Sequence, residues 1–205
     1  MSGRGSSTSG RAGRRIGVFG GTFDPPHLGH LALAECARDQ LGLERVIFMP
    51  AGSPPHKLRV ERSSAQRRVA MTRLAVRGNR AFRVSMLEVR RRGPSFTADT
   101  LRDLGRRFPG CRLYLLLGAD SLADFPNWHR PRDILRLATL VVAARPGVRG
   151  RSGPRRGVVW LENFSVDISS SAIRARARAG RSVRYLVPDA VRRYLARHNV
   201  YGGAR

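Results

Sequence analysis

Short apolar runs recur along the chain, and each is bounded by glycine, proline or charged residues. Runs of this length, rich in β-branched and aliphatic residues, predict buried β-strands. We predict six of them: Ile16 to Phe19, Val46 to Met49, Phe82 to Met86, Leu113 to Leu117, Leu140 to Ala143 and Val158 to Leu161.

Between these runs, apolar residues recur at helical spacing. Leu33, Ala37 and Leu41 fall on one face of a helix, and Gly42 supplies its stop. Three further helices are predicted: from a cap at Ser63 or Ser64 to near Gly78, from a cap at Thr97 through Phe108, and from Pro131 onward.

The alternation of strands and helices predicts an α/β fold, a Rossmann-like doubly wound parallel sheet with helices on both sides. We predict one domain over residues 15–205, in which residues 169–200 form a small C-terminal part of two helices without an intervening strand. Residues 1–14 are basic and rich in serine and glycine, so they are predicted to be a disordered tail. Ligands of such folds bind at the carboxyl ends of the strands.

The formal charge of +25 favours anionic partners, including nucleic acids. The arginines are spread along almost every segment, so nucleic acid is expected to bind only non-specifically if at all. No apolar run reaches the length of a membrane span, and the N-terminus lacks a secretory signal pattern. We therefore expect a cytoplasmic protein with no membrane partner, and the sequence leaves open whether it forms a homo-oligomer.

The junction GGTFDPPHLGH, residues 20–30, lies between the first predicted strand and the first predicted helix. Its glycines allow a ligand to approach the backbone, and its prolines lead into a helical turn whose free N–H groups favour anions. His27 and His30 are three residues apart, so both imidazoles can reach one phosphate chain. Neither the G-x-G-x-x-G spacing nor the Gly-Lys pair of a Walker loop is found at this junction. We therefore predict a different kind of phosphate site here.

Other segments offer matching chemistry. Lys57, the one lysine in the chain, suits a phosphate as a compact charge, and the serines before Arg174 offer hydroxyls at a helix start. Asp120 can accept from ribose or adenine donors, and Trp128, in a proline-flanked loop, can stack on a flat ring. Helix capping by Asp120, Thr97 and the serines, and simple packing of Trp128, remain open as alternatives.

Six segments in this order resemble the bacterial nicotinate-nucleotide adenylyltransferase family, within the HxGH nucleotidyltransferase superfamily. They are GGTFDPPHLGH, PPHK at 54–57, GPSFTADTL at 93–101, LGADSLADFPNWHRPRDIL at 117–135, ISSSAIR at 168–174 and VRYLVPDAVRRYL at 183–195. The resemblance covers roughly residues 15–200. It implies a nucleotidyltransferase that joins ATP to nicotinate mononucleotide, giving deamido-NAD and pyrophosphate.

The resemblance also implies roles for individual residues. The catalytic groups are expected to be His27, His30, Lys57 and Arg174. ATP is expected at Gly20, Gly21, Thr22, Phe23, His27, His30, Gly118, Asp120, Ile168, Ser169, Ser170 and Arg174. Nicotinate mononucleotide is expected at Thr22, Phe23, Lys57, Thr97, Trp128 and His129.

Within this resemblance, backbone amides near Thr97 meet the pyridine carboxylate and Trp128 packs on the pyridine ring. The chain departs from the family spelling at Phe96 and at His129, where tyrosine is usual, and at Ser171, where threonine is usual. The loss of the hydroxyl at Phe96 removes any role that needs it, while His129 can still donate a hydrogen bond. Mg²⁺ is expected on the ATP phosphates rather than in a site built from protein ligands.

Two rival functions differ from this interpretation. One is a related adenylyltransferase that uses nicotinamide mononucleotide or phosphopantetheine as its acceptor. The other is a non-catalytic RNA-binding protein, which the charge suggests, although the sequence lacks the interleaved basic and aromatic residues of a base-stacking platform. A tRNA synthetase is excluded by the length and by the absence of a KMSKS-like segment.

Overall fold

The structure is a computed structural model that describes residues 13–52, 63–143, 157–162 and 168–202. Lys57, residues 1–12 of the predicted tail and residues 203–205 lie outside the described residues. Within the described part, no helix is both long and apolar enough to cross a membrane.

A parallel sheet forms the centre of the structure. In chain order its strands are β1 (Arg15–Gly21), β2 (Arg45–Pro50), β3 (Phe82–Val84), β4 (Arg112–Leu117), β5 (Ala138–Ala143) and β6 (Val158–Leu161). They are arranged β3-β2-β1-β4-β5-β6, and each neighbouring pair is parallel. This order confirms the predicted doubly wound fold, since it reverses between β1 and β4.

Helices connect these strands and cover the sheet. They are α1 (Leu28–Gln40), α2 (Ala65–Ala75), α3 (Leu87–Arg90), α4 (Thr97–Arg107), α5 (Ala119–Asp124), α6 (Pro131–Leu137), α7 (Ser170–Arg178) and α8 (Asp189–Arg197). A single 3-10 turn at Phe125–Asn127 links α5 to the loop before α6.

Alternate residues of the strands pack on opposite sides of the sheet, as the period of a strand requires. Ile16 and Val18 of β1 belong to a core shared with α4 and α6, whereas Phe19 belongs to a second core shared with α1. Both faces of the sheet are therefore buried, which explains why its strands are apolar runs rather than alternating patterns.

The C-terminal helices α7 and α8 follow one another without a strand, as predicted, apart from an isolated bridge between Arg184 and Val187. They pack on α2 through a third apolar cluster that contains Met71, Ile173 and Val191. The C-terminal part is thereby attached to the helix that follows β2.

Three local predictions need correction. β3 ends at Val84 rather than Met86, because the Ser85 hydroxyl accepts the amide of Leu87 at 3.2 Å and turns the chain into α3. Thr97 is the first residue of α4 and not its cap, since Phe96 is the extended residue whose carbonyl accepts the first helical amides. The short helices α3 and α5 were not predicted. By contrast, Ser64 caps α2, its hydroxyl accepting the amide of Arg67 at 3.3 Å.

Candidate active site

The candidate site lies at the carboxyl ends of β1 and β4, where the order of the sheet reverses. Gly20 and Gly21 end β1, and Gly118 follows the neighbouring strand β4. A Cβ atom added at Gly20 or Gly118 would have no heavy atom within 4 Å among the described surroundings. The two strand ends therefore border open space, which is the position where ligands bind in folds of this class.

Two histidines begin the helix that leaves this edge. His27 is the N-cap of α1 and His30 lies in its first turn, and their ring centroids are 3.6 Å apart. The His27 backbone amide donates to Nδ1 of His30 at 3.2 Å. Because Nδ1 of a neutral His30 accepts this bond, its proton is on Nε2, which makes Nε2 a hydrogen-bond donor.

Both imidazoles are neutral near pH 7. Burial lowers the pKa of His27 to about 4. Burial, and then the neighbouring His27, lower the pKa of His30 well below its usual range. His27 Nδ1 is buried and has no hydrogen-bond partner in the described part of the protein. The pair can thus offer hydrogen bonds to an anion without carrying positive charge beforehand.

The turn between β1 and α1 is held by groups from distant parts of the chain. The backbone carbonyl of Asp24 accepts from Arg174 at 2.9 Å, and the carbonyl of Pro25 accepts from the Ser170 hydroxyl at 2.9 Å. The carbonyl of Thr22 accepts from Arg68, a buried arginine of α2, at 3.0 Å. The predicted ATP-binding residues in the turn between β1 and α1 therefore lie close to those of α7.

The start of α7 has the geometry expected of the ISSS segment. Ser169 is its N-cap, and its hydroxyl accepts the amide of Ala172 at 3.1 Å and lies 3.0 Å from the hydroxyl of Ser171. Ile168, directly before this cap, packs against the C-terminal apolar cluster. Helix capping, one of the alternatives left open by the sequence, is thus present, and it leaves the Ser170 hydroxyl as a link to the first turn.

At the start of α1, one amide is already in use. The Leu28 amide donates to the carbonyl of Leu186 at 3.0 Å, so the C-terminal part covers one side of this helix start. The amides of His30 and Leu31 both donate to the His27 carbonyl, which begins the helical hydrogen bonds. The Gly29 amide lies between these amides and that of Leu28, in the part of a helix start that precedes the helical bonds.

Three of the residues predicted to bind the acceptor, Thr97, Trp128 and His129, lie at the start of α4 and in the loop before α6. The ring of His129 lies on that of Phe96, with centroids 4.2 Å apart and planes at 30°. Thr97 follows Phe96 and opens α4, whose first amides precede the helical ladder. Trp128 is partly buried, packs against the apolar core and has its ring centroid 5.7 Å from that of Phe125. The two departures from the family spelling, Phe96 and His129, are therefore in contact with each other.

The ends of β1 and β2 connect the two groups. The Ala51 amide donates to the carbonyl of Gly21 at 2.9 Å, and the next residue, Gly52, lies against the Glu88 carbonyl, where a Cβ would come within 2.3 Å. The hydroxyl of Ser95, just before Phe96, donates to that same carbonyl at 3.3 Å. A continuous run of contacts thus leads from the end of β1 to the residue before Phe96, at the start of α4.

Glu88 carries a buried carboxyl group beside this connection. Its Oε1 accepts from the Thr100 hydroxyl at 2.8 Å, and Thr100 also accepts from Arg91 at 3.1 Å. Burial raises the pKa of Glu88 to about 7, against the hydrogen bond from Thr100 and the charge of Arg91. Sequence reasoning gave no role to Glu88, Asp24 or Arg68, although an aspartate before two prolines in a turn could have drawn attention to Asp24.

Two predicted site residues are not placed by this geometry. Lys57 belongs to the segment 53–62, outside the described residues, and the side chain of Asp120 is likewise outside them. The backbone of Asp120 lies in the first turn of α5, directly after Gly118.

Comparison with known proteins identifies the family. A model of the cytidylyltransferase-like family matches residues 18–176. A relative from Salinibacter ruber, carrying the name nicotinate-nucleotide adenylyltransferase, is 46% identical and covers 91% of this chain and 97% of its own. A relative from Thermomicrobium roseum with the same name is 44% identical over 91% of both chains. The chain belongs to the nicotinate-nucleotide adenylyltransferase family.

Solved structures related to this family share the fold. Nicotinic acid mononucleotide adenylyltransferase of Plasmodium falciparum, solved in complex with NaAD, superposes with a TM-score of 0.76 at 15% identity, covering 93% of this chain and 98% of that one. Its complex with APC superposes with a TM-score of 0.73. Membership in the nicotinate-nucleotide adenylyltransferase family makes this chain a nucleotidyltransferase enzyme.

The neutral state of His27 has a measurable consequence for stability. Unfolded histidine titrates near pH 6.5, whereas folded His27 stays neutral down to about 4, so the unfolded chain binds more protons in this window. The folded state must therefore lose stability as the pH falls below 6.5. Relative to His27→Asn, we expect the unfolding free energy of the unmodified protein to fall by about 1 kcal/mol between pH 6.5 and 5.5. Urea unfolding of both proteins at each pH measures this difference, and a constant difference would contradict the buried, neutral imidazole.

Proposed function

We propose that this enzyme transfers the adenylyl group of ATP to nicotinate mononucleotide, forming deamido-NAD and releasing pyrophosphate. The observation that carries the proposal is the meeting of two helix starts on one turn. His27 and His30 of α1 and the Ser169-capped start of α7 are joined through the carbonyls of Asp24 and Pro25. The names of the relatives support nicotinate mononucleotide as the acceptor.

The chemistry needs no protein nucleophile. A phosphate oxygen of the mononucleotide attacks the α-phosphorus of ATP, a new P–O bond forms in line, and the bond between the α-phosphorus and the bridging oxygen breaks as pyrophosphate leaves. Because the attacking group is already an anion, no base has to remove a proton from it. The protein's task is to align two groups that repel each other and to stabilise the charge that develops.

The histidine pair serves this task as a preorganised donor. Nε2 of His30 carries a proton, and the buried Nδ1 of His27 has no hydrogen-bond partner among the described residues. Donors fixed beforehand in a poorly solvated place stabilise developing charge without reorganising during the reaction. We assign His27 and His30 to the ATP phosphates for this reason.

Arg174 and Lys57 complete the proposed catalytic set. One guanidinium nitrogen of Arg174 is held by the Asp24 carbonyl, which fixes the side chain at the turn while its other N–H groups can face a phosphate. In the sequence Lys57 follows β2, whose last residue pairs with the end of β1. We propose that its ammonium binds phosphate at this edge.

The remaining ATP contacts follow from the strand ends. We propose that the triphosphate passes over Gly20, where the backbone is open, and beside Gly21, whose Cα faces the Phe23 ring, and that ribose and adenine lie toward Gly118 and Asp120. Contacts from neighbouring segments are proposed for Thr22, Phe23, Ile168, Ser169 and Ser170.

The acceptor side is proposed to recognise an acidic pyridine. The first amides of α4, around Thr97, favour an anionic carboxylate over a neutral amide. Trp128 is proposed to pack on the pyridine ring, and His129, resting on Phe96, to replace the tyrosine usual in the family. Thr22, Phe23 and Lys57 would contact the phosphate of the mononucleotide.

Mg²⁺ is proposed to enter with ATP as part of the substrate. Within the described residues no group of three or more His, Cys, Asp or Glu side chains is arranged to hold a metal ion. The triphosphate oxygens and water suit this ion, which supplies charge neutralisation on the phosphates. We also propose that the enzyme works in the cytoplasm, where ATP is available to it.

The choice of acceptor can be measured directly. The protein is incubated with ATP and Mg²⁺ plus either nicotinate or nicotinamide mononucleotide, and pyrophosphate release is followed. We expect kcat/KM for the nicotinate form to exceed that for the nicotinamide form by about 10²-fold, since the amides near Thr97 favour a carboxylate. Equal values, or turnover of the nicotinamide form alone, would overturn the proposed substrate, and RNA binding without turnover would favour the non-catalytic rival.

The role of His30 is tested by its removal. His30→Ala should lower kcat by about 10²-fold or more, which is the scale seen when one preorganised donor is lost. The control is His198→Ala, an exposed histidine after α8, which should keep kcat within about twofold. If both variants turn over equally, His30 has no catalytic part.

The role of Trp128 is separated from packing by a matched tryptophan. Trp128→Ala should raise KM for the mononucleotide roughly tenfold, consistent with the loss of one stacking contact, and change KM for ATP by less than about twofold. Trp160 on the edge strand β6 is 38% exposed, and Trp160→Ala should change neither KM. Steady-state kinetics with each substrate varied give both constants, and an equal rise of both KM values in Trp128→Ala would count against stacking.

A further inference from the structure

Asp24 is a fully buried carboxylate in the turn before the histidines, with 0% of its surface exposed. Its Oδ1 accepts from the hydroxyl of Tyr201 at 2.8 Å, and its Oδ2 accepts from the backbone amide of Ser63 at 3.1 Å. Tyr201 follows α8 near the C-terminus, and Ser63 precedes α2. The Asp24 side chain thus connects the turn between β1 and α1 to two segments that are distant in the sequence.

The backbone of the same turn is tied to the C-terminal part a second time. The Asp24 carbonyl accepts from Arg174 and the Pro25 carbonyl accepts from Ser170, both in α7. The side chain and the backbone of two consecutive residues therefore hold both α7 and the segment after α8. His27 comes two residues later, so its position depends on where this turn lies.

Tyr201 is suited to be a permanent donor in this contact. Burial, and then the Asp24 carboxylate, raise the pKa of Tyr201, so its hydroxyl keeps its proton throughout the neutral range. Its ring packs against the apolar cluster of α2, α7 and α8. The hydroxyl is therefore fixed by its ring, and a fully buried carboxylate that loses a donor still bears the cost of its desolvation.

We propose that Asp24 and Tyr201 are positioning residues, whose hydrogen bond fixes the turn that carries His27 and the carbonyl that orients Arg174. The C-terminal end of the chain then sets the geometry of the phosphate site without touching substrate. This inference rests on the proposed function, because it concerns the same ATP phosphates.

The alternative is that Tyr201 contributes packing alone, and one substitution separates the two. Tyr201→Phe keeps the ring in the apolar cluster and removes the donor to Asp24. The matched control is Tyr194→Phe, since Tyr194 packs on the same cluster and its ring lies 4.3 Å from that of His198. Both variants lose one hydroxyl from the C-terminal part, and of these two tyrosines Tyr201 is the one that donates to the Asp24 carboxylate.

The measurement is steady-state kinetics with ATP and with nicotinate mononucleotide, at a temperature well below the unfolding midpoint of each variant. We expect Tyr201→Phe to lower kcat about tenfold and to raise KM for ATP, while KM for the mononucleotide stays within about twofold, because misplaced phosphate ligands lower the rate steeply. Tyr194→Phe should match the unmodified enzyme. Equal kcat values for the two variants, or a loss of thermal stability in Tyr201→Phe without a kinetic change, would overturn the proposal.

A second variant tests the pairing itself. Asp24→Asn leaves one acceptor oxygen for two donors, the Tyr201 hydroxyl and the Ser63 amide, so it should lower kcat. The double variant Asp24→Asn, Tyr201→Phe should lose less than the product of the two single losses, since both changes affect the hydrogen bond between the two side chains. Losses that multiply would show that the two residues act independently and would overturn the pairing. If Asp24→Asn does not fold, the two tyrosine variants decide alone.

Failure of the proposed function gives a different pattern. If the unmodified enzyme does not consume nicotinate mononucleotide, the acceptor assignment is wrong, and ATP binding by calorimetry still tests the positioning role. Tyr201→Phe should then bind ATP about fivefold more weakly than Tyr194→Phe, because the phosphate ligands on the turn are displaced. Equal affinities would overturn the inference.

Discussion

The position of the site depends on β1, which is held on both sides. It pairs with β2 on one side and with β4 on the other, and the order of the strands reverses between β1 and β4. Two parallel neighbours and two covered faces leave its carboxyl end no freedom to move independently. The turn from residue 22 to residue 25 begins at that end, and its carbonyls receive hydrogen bonds from α2 and α7. The histidines of α1 inherit their position from these constraints.

The strands and helices were predictable from the sequence where they are long enough to show an apolar run or a helical period. The strands β2 and β4 were predicted to within one residue at each end, since buried parallel strands are continuous apolar runs. Helices of four and six residues, α3 and α5, are too short to show a period. The cap of α4 was assigned one residue too late, because threonine is the usual cap and nothing local marks Phe96 as the extended residue.

The sequence motifs located the residues of the site but did not show which residues contact one another there. The segment at 20–30 marked the first turn, and ISSSAIR marked α7, yet their direct contact through Asp24 and Pro25 joins residues about 145 positions apart. Long-range hydrogen bonds of this kind leave no local pattern. The same holds for Arg68 and Glu88, whose buried polar groups are recognised only when the surrounding carbonyls and hydroxyls are placed.

The neutral histidines have a particular meaning in a chain of formal charge +25. A field this positive already attracts anions to the protein, so attraction is not what the two imidazoles must add. Their low pKa values follow from burial, which also makes any hydrogen bond they donate stronger than in water. In the proposed function, the arginines therefore supply the charge that attracts the anion, and the two imidazoles set the direction of the hydrogen bonds to it.

Arg68 also holds the two residues that flank the segment 53–62. Its guanidinium donates to the carbonyl of Gly52 at 3.3 Å and to that of Ser63 at 3.1 Å, so the residues on either side of the segment are clamped to one buried side chain. Insertions between the clamps would cost little, since closing a longer loop adds only about 0.6 kcal/mol per doubling of its length. The segment can therefore diverge in length and composition without displacing Gly52 or Ser63, whose carbonyls Arg68 holds.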